Sequence, residues 1–285
     1  MARAAAVFSV AVAIALISSG CSHETPSAPH VADPHRVISL APSVTETLID
    51  LGLADRLVAI SDYCPEVPGH AELPRVGGLN NLNVEAVLAR RPDLVLTVTE
   101  PGDRTLAALT AAGVEVVASD PESLPAVLDN LVAIGERFGR GEEARALRTQ
   151  LEARLAALHS PADPAKSRRP RLYVEIDFPP PWTSGQGAFV RDAVGAAGAE
   201  PLFEDLAAGY ATVSVEQILV RDPDTVLILH PLEGSHDHPL ADRTDFSQLR
   251  AVREGRVLVD PKFEALLHSS PRLIDGIELL ARALR

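Results

Sequence analysis

Short apolar runs alternate with amphipathic stretches along most of the chain, and together they predict strands alternating with helices. Residues 37–40 form an apolar strand that Ala41-Pro42 breaks. Ser43-Val44-Thr45-Glu46 has capping-box spacing, opening a helix that stops at Gly52. Residues 57–61 read as a strand, and 62–79 as a loop holding three prolines. A helix over 105–112, stopped by Gly113, leads to a strand over 114–118. Further along, strands at 172–176, 225–229 and 257–259 alternate with helices at 188–197 and 271–284. Such alternation implies mostly parallel sheets with helices on both faces.

Between these halves the period changes. Leu124, Val127, Leu128, Leu131, Val132 and Gly135 fall on one helical face, and Ala144, Leu147, Leu151, Leu155 and Leu158 resume it. This predicts one long helix over 124–159, kinked near Gly139, or two helices in sequence. Pro161 and the polar residues up to Pro170 end it.

One pattern occurs twice. Residues 81–98 (NLNVEAVLARRPDLVLTV) and 212–229 (TVSVEQILVRDPDTVLIL) align without a gap and agree at eight of eighteen positions. Each copy encodes a cap, a short helix, an Arg-x-Pro-Asp turn and a buried strand. The fold expected is two Rossmann-like α/β lobes with mostly parallel sheets, joined by one long backbone helix. The boundaries expected are 36–121 for the N-terminal lobe, 122–160 for the backbone helix and 171–285 for the C-terminal lobe. A chain of 285 residues suits two domains of ordinary size.

Charge and composition narrow the function. A net charge of −13 argues against nucleic acid and against a basic membrane-surface patch. Arg3, the apolar residues 4–17 and Ser18-Ser19-Gly20-Cys21 resemble a lipoprotein signal and cleavage site, although Ser18 stands where Leu is usual. The expectation is a signal peptide over 1–20, acylation of Cys21 and a Pro-rich tether over 21–35, with the protein held at the periplasmic or cell-surface side of a membrane. The alternative is an ordinary secretory signal with a chance cysteine. The remaining cysteine, Cys64, reads as a small buried hydrophobe.

Aromatics make up only 4% of the chain, so their positions identify flat surfaces. Tyr63, Trp182 and Tyr210 sit in loops or just before a helix, off every apolar stripe. Trp182 is the single tryptophan, between three prolines and Thr183-Ser184-Gly185, which reads as a turn. A flat ring on a stiff loop offers contact area at low entropic cost. Phe178 and Phe263 are further ligand candidates that could equally be core, and Glu264 is a possible polar contact. Glu85 and Glu216 occupy matched places in the first turn of the two repeated helices, behind Asn83 and Ser214. The helix dipole favours an acid there, but it does not explain the matched placement. His236 and His238, with His230, raise zinc, yet two such histidines in a polar loop are usually solvated. No Gly-x-Ser-x-Gly, phosphate-binding Gly-rich loop or His-Glu-x-x-His occurs. The chain therefore reads as a binding protein that carries no cofactor of its own. A tetrapyrrole-handling, chelatase-like enzyme is the alternative of another class.

Four segments then fall in a familiar order. They are Arg36-Val-Ile-Ser-Leu-Ala-Pro-Ser-Val-Thr-Glu46, Arg91-Pro-Asp-Leu-Val-Leu96, Pro180-Pro-Trp-Thr-Ser-Gly185 and Ser270-Pro271-Arg272-Leu273. On these the chain resembles, from Arg36 onward, the helical-backbone substrate-binding proteins of ABC importers, and within them the cobalamin-binding branch. The resemblance implies a monomeric receptor that carries one corrinoid between its lobes to a homodimeric permease driven by a cytoplasmic ATPase. It also implies that Tyr63, Trp182 and Tyr210 line the cleft, and that Glu85 and Glu216 meet arginines of the two permease subunits. Gly77-Gly78 stands where that branch has another tryptophan. Related receptors bind ferric siderophores, haem or metal ions, so a siderophore or haem receptor is the alternative within the family.

Overall fold

The computed structural model describes residues 33–78, 81–98, 104–158, 168–230, 240, 243 and 245–285. Cys21, the signal peptide, His236 and His238 lie outside the described residues. Among those described, no helix is long and apolar enough to cross a membrane.

In chain order the first lobe holds β1 (Val37–Ser39), α1 (Pro42–Asp50), β2 (Leu57–Ile60), α2 (Val84–Ala89), β3 (Leu94–Thr97), α3 (Arg104–Ala111) and β4 (Glu115–Ala118). Two helices follow, α4 (Leu124–Arg137) and α5 (Gly141–Leu158). The second lobe continues with β5 (Arg171–Glu175), β6 (Trp182–Ser184), α6 (Phe189–Ala196), β7 (Glu200–Pro201) and β8 (Tyr210–Thr212). It ends with α7 (Val215–Arg221), β9 (Thr225–Ile228), α8 (Arg250–Arg253), β10 (Val257–Val259) and α9 (Arg272–Ala283). Each lobe is built on a four-stranded parallel sheet, ordered β2-β1-β3-β4 in the first and β10-β9-β5-β7 in the second. β3 and β9 are buried along their whole length, as their unbroken apolar runs require in a sheet covered on both faces. The architecture is the expected pair of α/β lobes joined by a long helical segment.

The sequence repeat is also a structural repeat. Asn83 caps α2 by accepting from Ala86 N at 2.9 Å, and Ser214 caps α7 by accepting from Gln217 N at 3.2 Å. The residue before proline is left-handed in both copies, with φ of 47° at Arg91 and 39° at Asp222. The aspartate after that proline then fastens the start of the neighbouring strand. Asp93 Oδ2 accepts from His35 N and Arg36 N at 2.9 and 3.0 Å, and Asp224 Oδ2 accepts from Arg171 N at 2.8 Å. Arg36 and Arg171 respond alike. Arg36 Nε donates to the carbonyls of Arg90 and Arg91, and Arg171 Nη1 to that of Arg221.

The connection takes the form of two helices. Gly139 (φ +66°) ends α4, and the chain folds back. A Cβ on Gly135 would stand 2.4 Å from the Cβ of Ala144, so only glycine lets α4 and α5 approach this closely. The first of them, α4, reaches both lobes. Leu124 N donates to Asp192 of α6 at 3.0 Å, while Arg137 at the other end of α4 pairs with Glu115 of β4. On α5, Arg154 pairs with Asp275 and Glu278 of α9 at 2.6 and 2.9 Å. One apolar cluster runs through the interface. It includes Leu48 and Leu94 of the first lobe, Leu131 and Leu151 of the helices, and Leu172 and Ile277 of the second lobe.

Two local expectations are corrected. The Ser43–Glu46 capping box does not form. α1 opens at Ala41-Pro42 without a side-chain cap, because proline at the first helical position needs no partner for its nitrogen. Glu46 is 4% exposed and is held by the second lobe instead. Thr183-Ser184 is not a turn. Trp182–Ser184 and Tyr210–Thr212 pair as an antiparallel ribbon, formed between two segments far apart in sequence.

Candidate functional site

Parallel strands gather the loops that follow their carboxyl ends, and ligands bind there in open α/β sheets. In the second lobe those loops carry Ile176-Asp177 after β5, Leu229-His230 after β9 and Asp260 after β10. Together with Trp182, Ile228, Val259, Pro261, Glu264 and Leu267 they line a cavity of about 510 Å³. Trp182 is fixed by a tight hairpin. Its N–H donates to the Asp177 carbonyl at 3.0 Å, and Ile176 N–H donates to its carbonyl at 2.8 Å. Three prolines fill the hairpin between them. The ribbon sets the Trp182 ring beside Tyr210, with centroids 5.7 Å apart and planes inclined by 43°.

The two phenylalanines do other work. Phe178 meets the edge of Phe246 at 6.1 Å and carries the Arg243 guanidinium 3.6 Å from its ring centroid, so it anchors the hairpin against the lobe. Phe263 is corrected to a core residue. It is 4% exposed, because the 3-10 turn Pro261–Leu267 rolls it inward and leaves Glu264 facing the cavity.

The cavity has an apolar floor and an acidic rim. Asp177, Asp260 and Glu264 bring three carboxylates to it. Two nearby bases turn to one buried carboxylate. His230 Nε2 lies 2.9 Å from Glu175 Oε1, and Arg243 Nη1 donates to that same oxygen at 2.6 Å. Glu175 is fully buried and also accepts from the Tyr173 hydroxyl at 3.3 Å. Burial, then the Glu175 charge, pushes the Tyr173 hydroxyl far above its ordinary range, so it stays a neutral donor. Among the described residues no cluster of three or more His, Cys, Asp or Glu is arranged to hold a metal ion.

The first lobe contributes Tyr63, three residues past the end of β2 and 63% exposed. Its ring covers Gly78, where a Cβ would lie 2.3 Å from Tyr63 Cε2. Glycine at 78 is thus the condition for this tyrosine pose. Cys64 behind it is buried, its Sγ 3.2 Å from Ser61 Oγ. A second cavity, of about 420 Å³, bridges the lobes between Asp120, Pro121 and Glu122 on one side and Gln186, Gly187 and Tyr210 on the other. Burial, then the Asp120 charge, raises the Tyr210 hydroxyl well above its usual value. The structure therefore joins Trp182 and Tyr210, leaves Tyr63 on the facing lobe, and adds Asp177 and Asp260, which the sequence reading missed. Their signal was position, one residue past a strand's apolar run. A larger cavity of about 670 Å³, lined by Arg168, Arg169 and Arg191, lies at the amino end of β5, away from the aromatic residues.

Glu85 and Glu216 are both exposed in the first turns of α2 and α7. Each helix runs back toward the amino end of its strand, so both acids lie toward the carboxyl ends, on the cleft side. The Ser214 hydroxyl, then the backbone, holds the Glu216 carboxyl below its ordinary range. Val220, one turn further along α7, is 86% exposed.

Two lobes on a shared helical support, with an aromatic-lined cleft, have the form of a two-lobed solute receptor. The comparisons with known proteins agree. The family model described as periplasmic binding protein matches residues 37–263. The vitamin B12-binding protein of Vibrio cholerae serotype O1 is 28% identical over 255 residues, covering 88% of this chain and 89% of that one. The crystal structure of the Vibrio cholerae periplasmic vitamin B12 binding protein matches with TM-score 0.70 and 27% identity, covering 88% of this chain and 97% of that one. A periplasmic haem binding protein from Pseudomonas aeruginosa matches with TM-score 0.76 and 29% identity, covering 88% and 92%. The chain belongs to the periplasmic binding protein family, as a helical-backbone substrate-binding protein of an ABC importer. Membership of that family makes it a transport receptor rather than an enzyme.

Proposed function

We propose that this receptor captures cobalamin or a related corrinoid in its cleft and delivers it to a homodimeric ABC permease. The observation that carries the ligand choice is the acid-rimmed cavity lined by Trp182, whose ring leans on Tyr210. Its floor accepts a flat apolar macrocycle. Its rim offers hydrogen-bond acceptors to a periphery of primary amides. The same three carboxylates oppose the carboxylates of haem or of an acidic siderophore. The similarity to a haem binding protein supports haem as the second reading.

Delivery in this proposal uses Glu85 and Glu216, one on each lobe, facing arginines on two identical permease subunits. The exposed Val220 adds apolar contact beside Glu216. Cys21, acylated after removal of residues 1–20, would hold the receptor at the membrane, with the following residues as its tether.

Calorimetric titration with cyanocobalamin, haemin and ferrichrome tests the ligand. The expected result is one-to-one binding of cyanocobalamin with quenching of Trp182 fluorescence. Haemin binding without corrinoid binding would select the second reading. Metabolic labelling with a fatty-acid analogue tests Cys21, and label retained in Cys21→Ala would exclude it as the anchor.

A further inference from the structure

The cavity wall is held from the opposite lobe by a buried carboxylate. Glu46, on α1 of the first lobe, accepts from Ser270 Oγ at 2.7 Å and from Arg272 Nη1 at 2.6 Å. Its carboxylate also lies 2.8 Å from His268 Nδ1. All three partners belong to the second lobe, at the junction between the 3-10 turn Pro261–Leu267 and α9. That same turn supplies Pro261, Glu264 and Leu267 to the cavity. The far nitrogen of the His268 ring lies 3.8 Å from Glu264, so one imidazole links the cavity rim to Glu46. From behind, α9 presses on the turn. A Cβ on Gly276 would stand 3.0 Å from both Leu266 Cγ and Leu266 N.

The arrangement is built around the ionised acid. Burial opposes the Glu46 charge, but hydrogen bonding and the charge of His268, with Ser270 and Arg272, outweigh it and hold the carboxyl below its ordinary range. Asp50 on α1, Glu264 on the turn and Asp275 on α9 are the other charged groups facing the cluster. A buried carboxylate with three partners is costly to leave unpaired, so it fixes the geometry of the groups around it.

We propose that Glu46 is a positioning residue for the ligand cavity: reaching across the lobe boundary, it pins the segment that walls the cavity. Among the described residues, its own lobe supplies none of the lining of that cavity. The inference uses the corrinoid reading only to choose a probe.

The test compares the wild-type chain with Glu46→Gln, which keeps the shape and removes the charge, and with Ser270→Ala, which removes one donor and leaves the charged pairs. Amide hydrogen exchange and cyanocobalamin affinity are both read. The expected result in Glu46→Gln is exchange about tenfold faster across 262–268, with β1 and β3 unchanged, and affinity about tenfold weaker. Ser270→Ala is expected to move both in the same direction by less. Unchanged exchange across 262–268, or an equal rise in β1 and β3, would overturn the proposal, since that is what general destabilisation produces. A loosened segment with unchanged affinity would overturn the link to the cavity. If the wild-type chain binds no cyanocobalamin, the ligand reading fails by itself and the exchange result still decides the positioning.

Discussion

The two lobes are alike at the amino ends of their strands and, apart from the matched Glu85 and Glu216, unlike at the carboxyl ends. At the amino ends the correspondence is residue by residue. Arg36 matches Arg171, Asp93 matches Asp224, and the left-handed Arg91 matches the left-handed Asp222. At the carboxyl ends the second lobe has the Trp182–Tyr210 ribbon, the 3-10 turn and three acids, whereas the described residues of the first offer an exposed tyrosine over a glycine and the segment Asp120-Pro121-Glu122. The repeated part is the frame, and it sets Glu85 and Glu216 at matched places. The unrepeated part makes the cavity. A two-fold partner can read only what is duplicated, and an asymmetric ligand needs what is not.

Breaking the frame is expected to have the largest effect, and it separates the lobes. Asp224 is 14% exposed and holds Arg168, Arg250 and the Arg171 amide, while Asp93 holds two backbone amides nearer the surface. Asp224→Ala is expected to cost about 3 kcal/mol and Asp93→Ala about 1 kcal/mol in urea unfolding. Equal losses would mean that the lobes use the clamp equally.

Charge reversal at both Glu85 and Glu216 comes next. In a reconstituted permease–ATPase complex it is expected to weaken docking about a hundredfold, and each single reversal about tenfold. An effect from one residue alone would break the symmetry argued from the repeat. Removing the aromatic contact is expected to matter somewhat less. Trp182→Ala should lower cyanocobalamin affinity about tenfold and leave docking intact.

The smallest effect concerns pH. Burial, then the charges of Glu46 and Asp275, pushes the Asp50 carboxyl up to about 6. A folded-state value above the unfolded one means the folded chain holds that proton more tightly. The contribution to stability is therefore present in acid and is lost as pH rises from the ordinary aspartate range through about 6. Asp50→Asn should be slightly more stable than wild type above pH 6, with the difference vanishing in acid. The midpoint of thermal unfolding across that range checks it, and a pH-independent difference would contradict it.

Much of the frame was legible in the sequence, because it follows from local rules. Apolar runs gave the parallel strands, Asn83 and Ser214 marked the helix starts, and the Arg-x-Pro-Asp turns ended both helices. Glu46 was misread because a capping box is a local pattern and its real partners are more than 220 residues away. Trp182 and Tyr210 were each legible as loop aromatics, but their contact depends on a ribbon between segments that no local period reveals. Phe263 was ambiguous because a 3-10 turn has neither strand nor α-helical period, so its inward face cannot be counted off.

The central claim is that the duplicated frame serves docking and that the unduplicated ends serve the ligand. The most direct measurement is a calorimetric titration of cyanocobalamin into the chain carrying Glu85→Arg and Glu216→Arg together. The account predicts an affinity within about twofold of wild type, since both acids lie outside the cavity. A loss of about tenfold or more would place the repeated glutamates in the binding site and contradict the division of labour between frame and cleft.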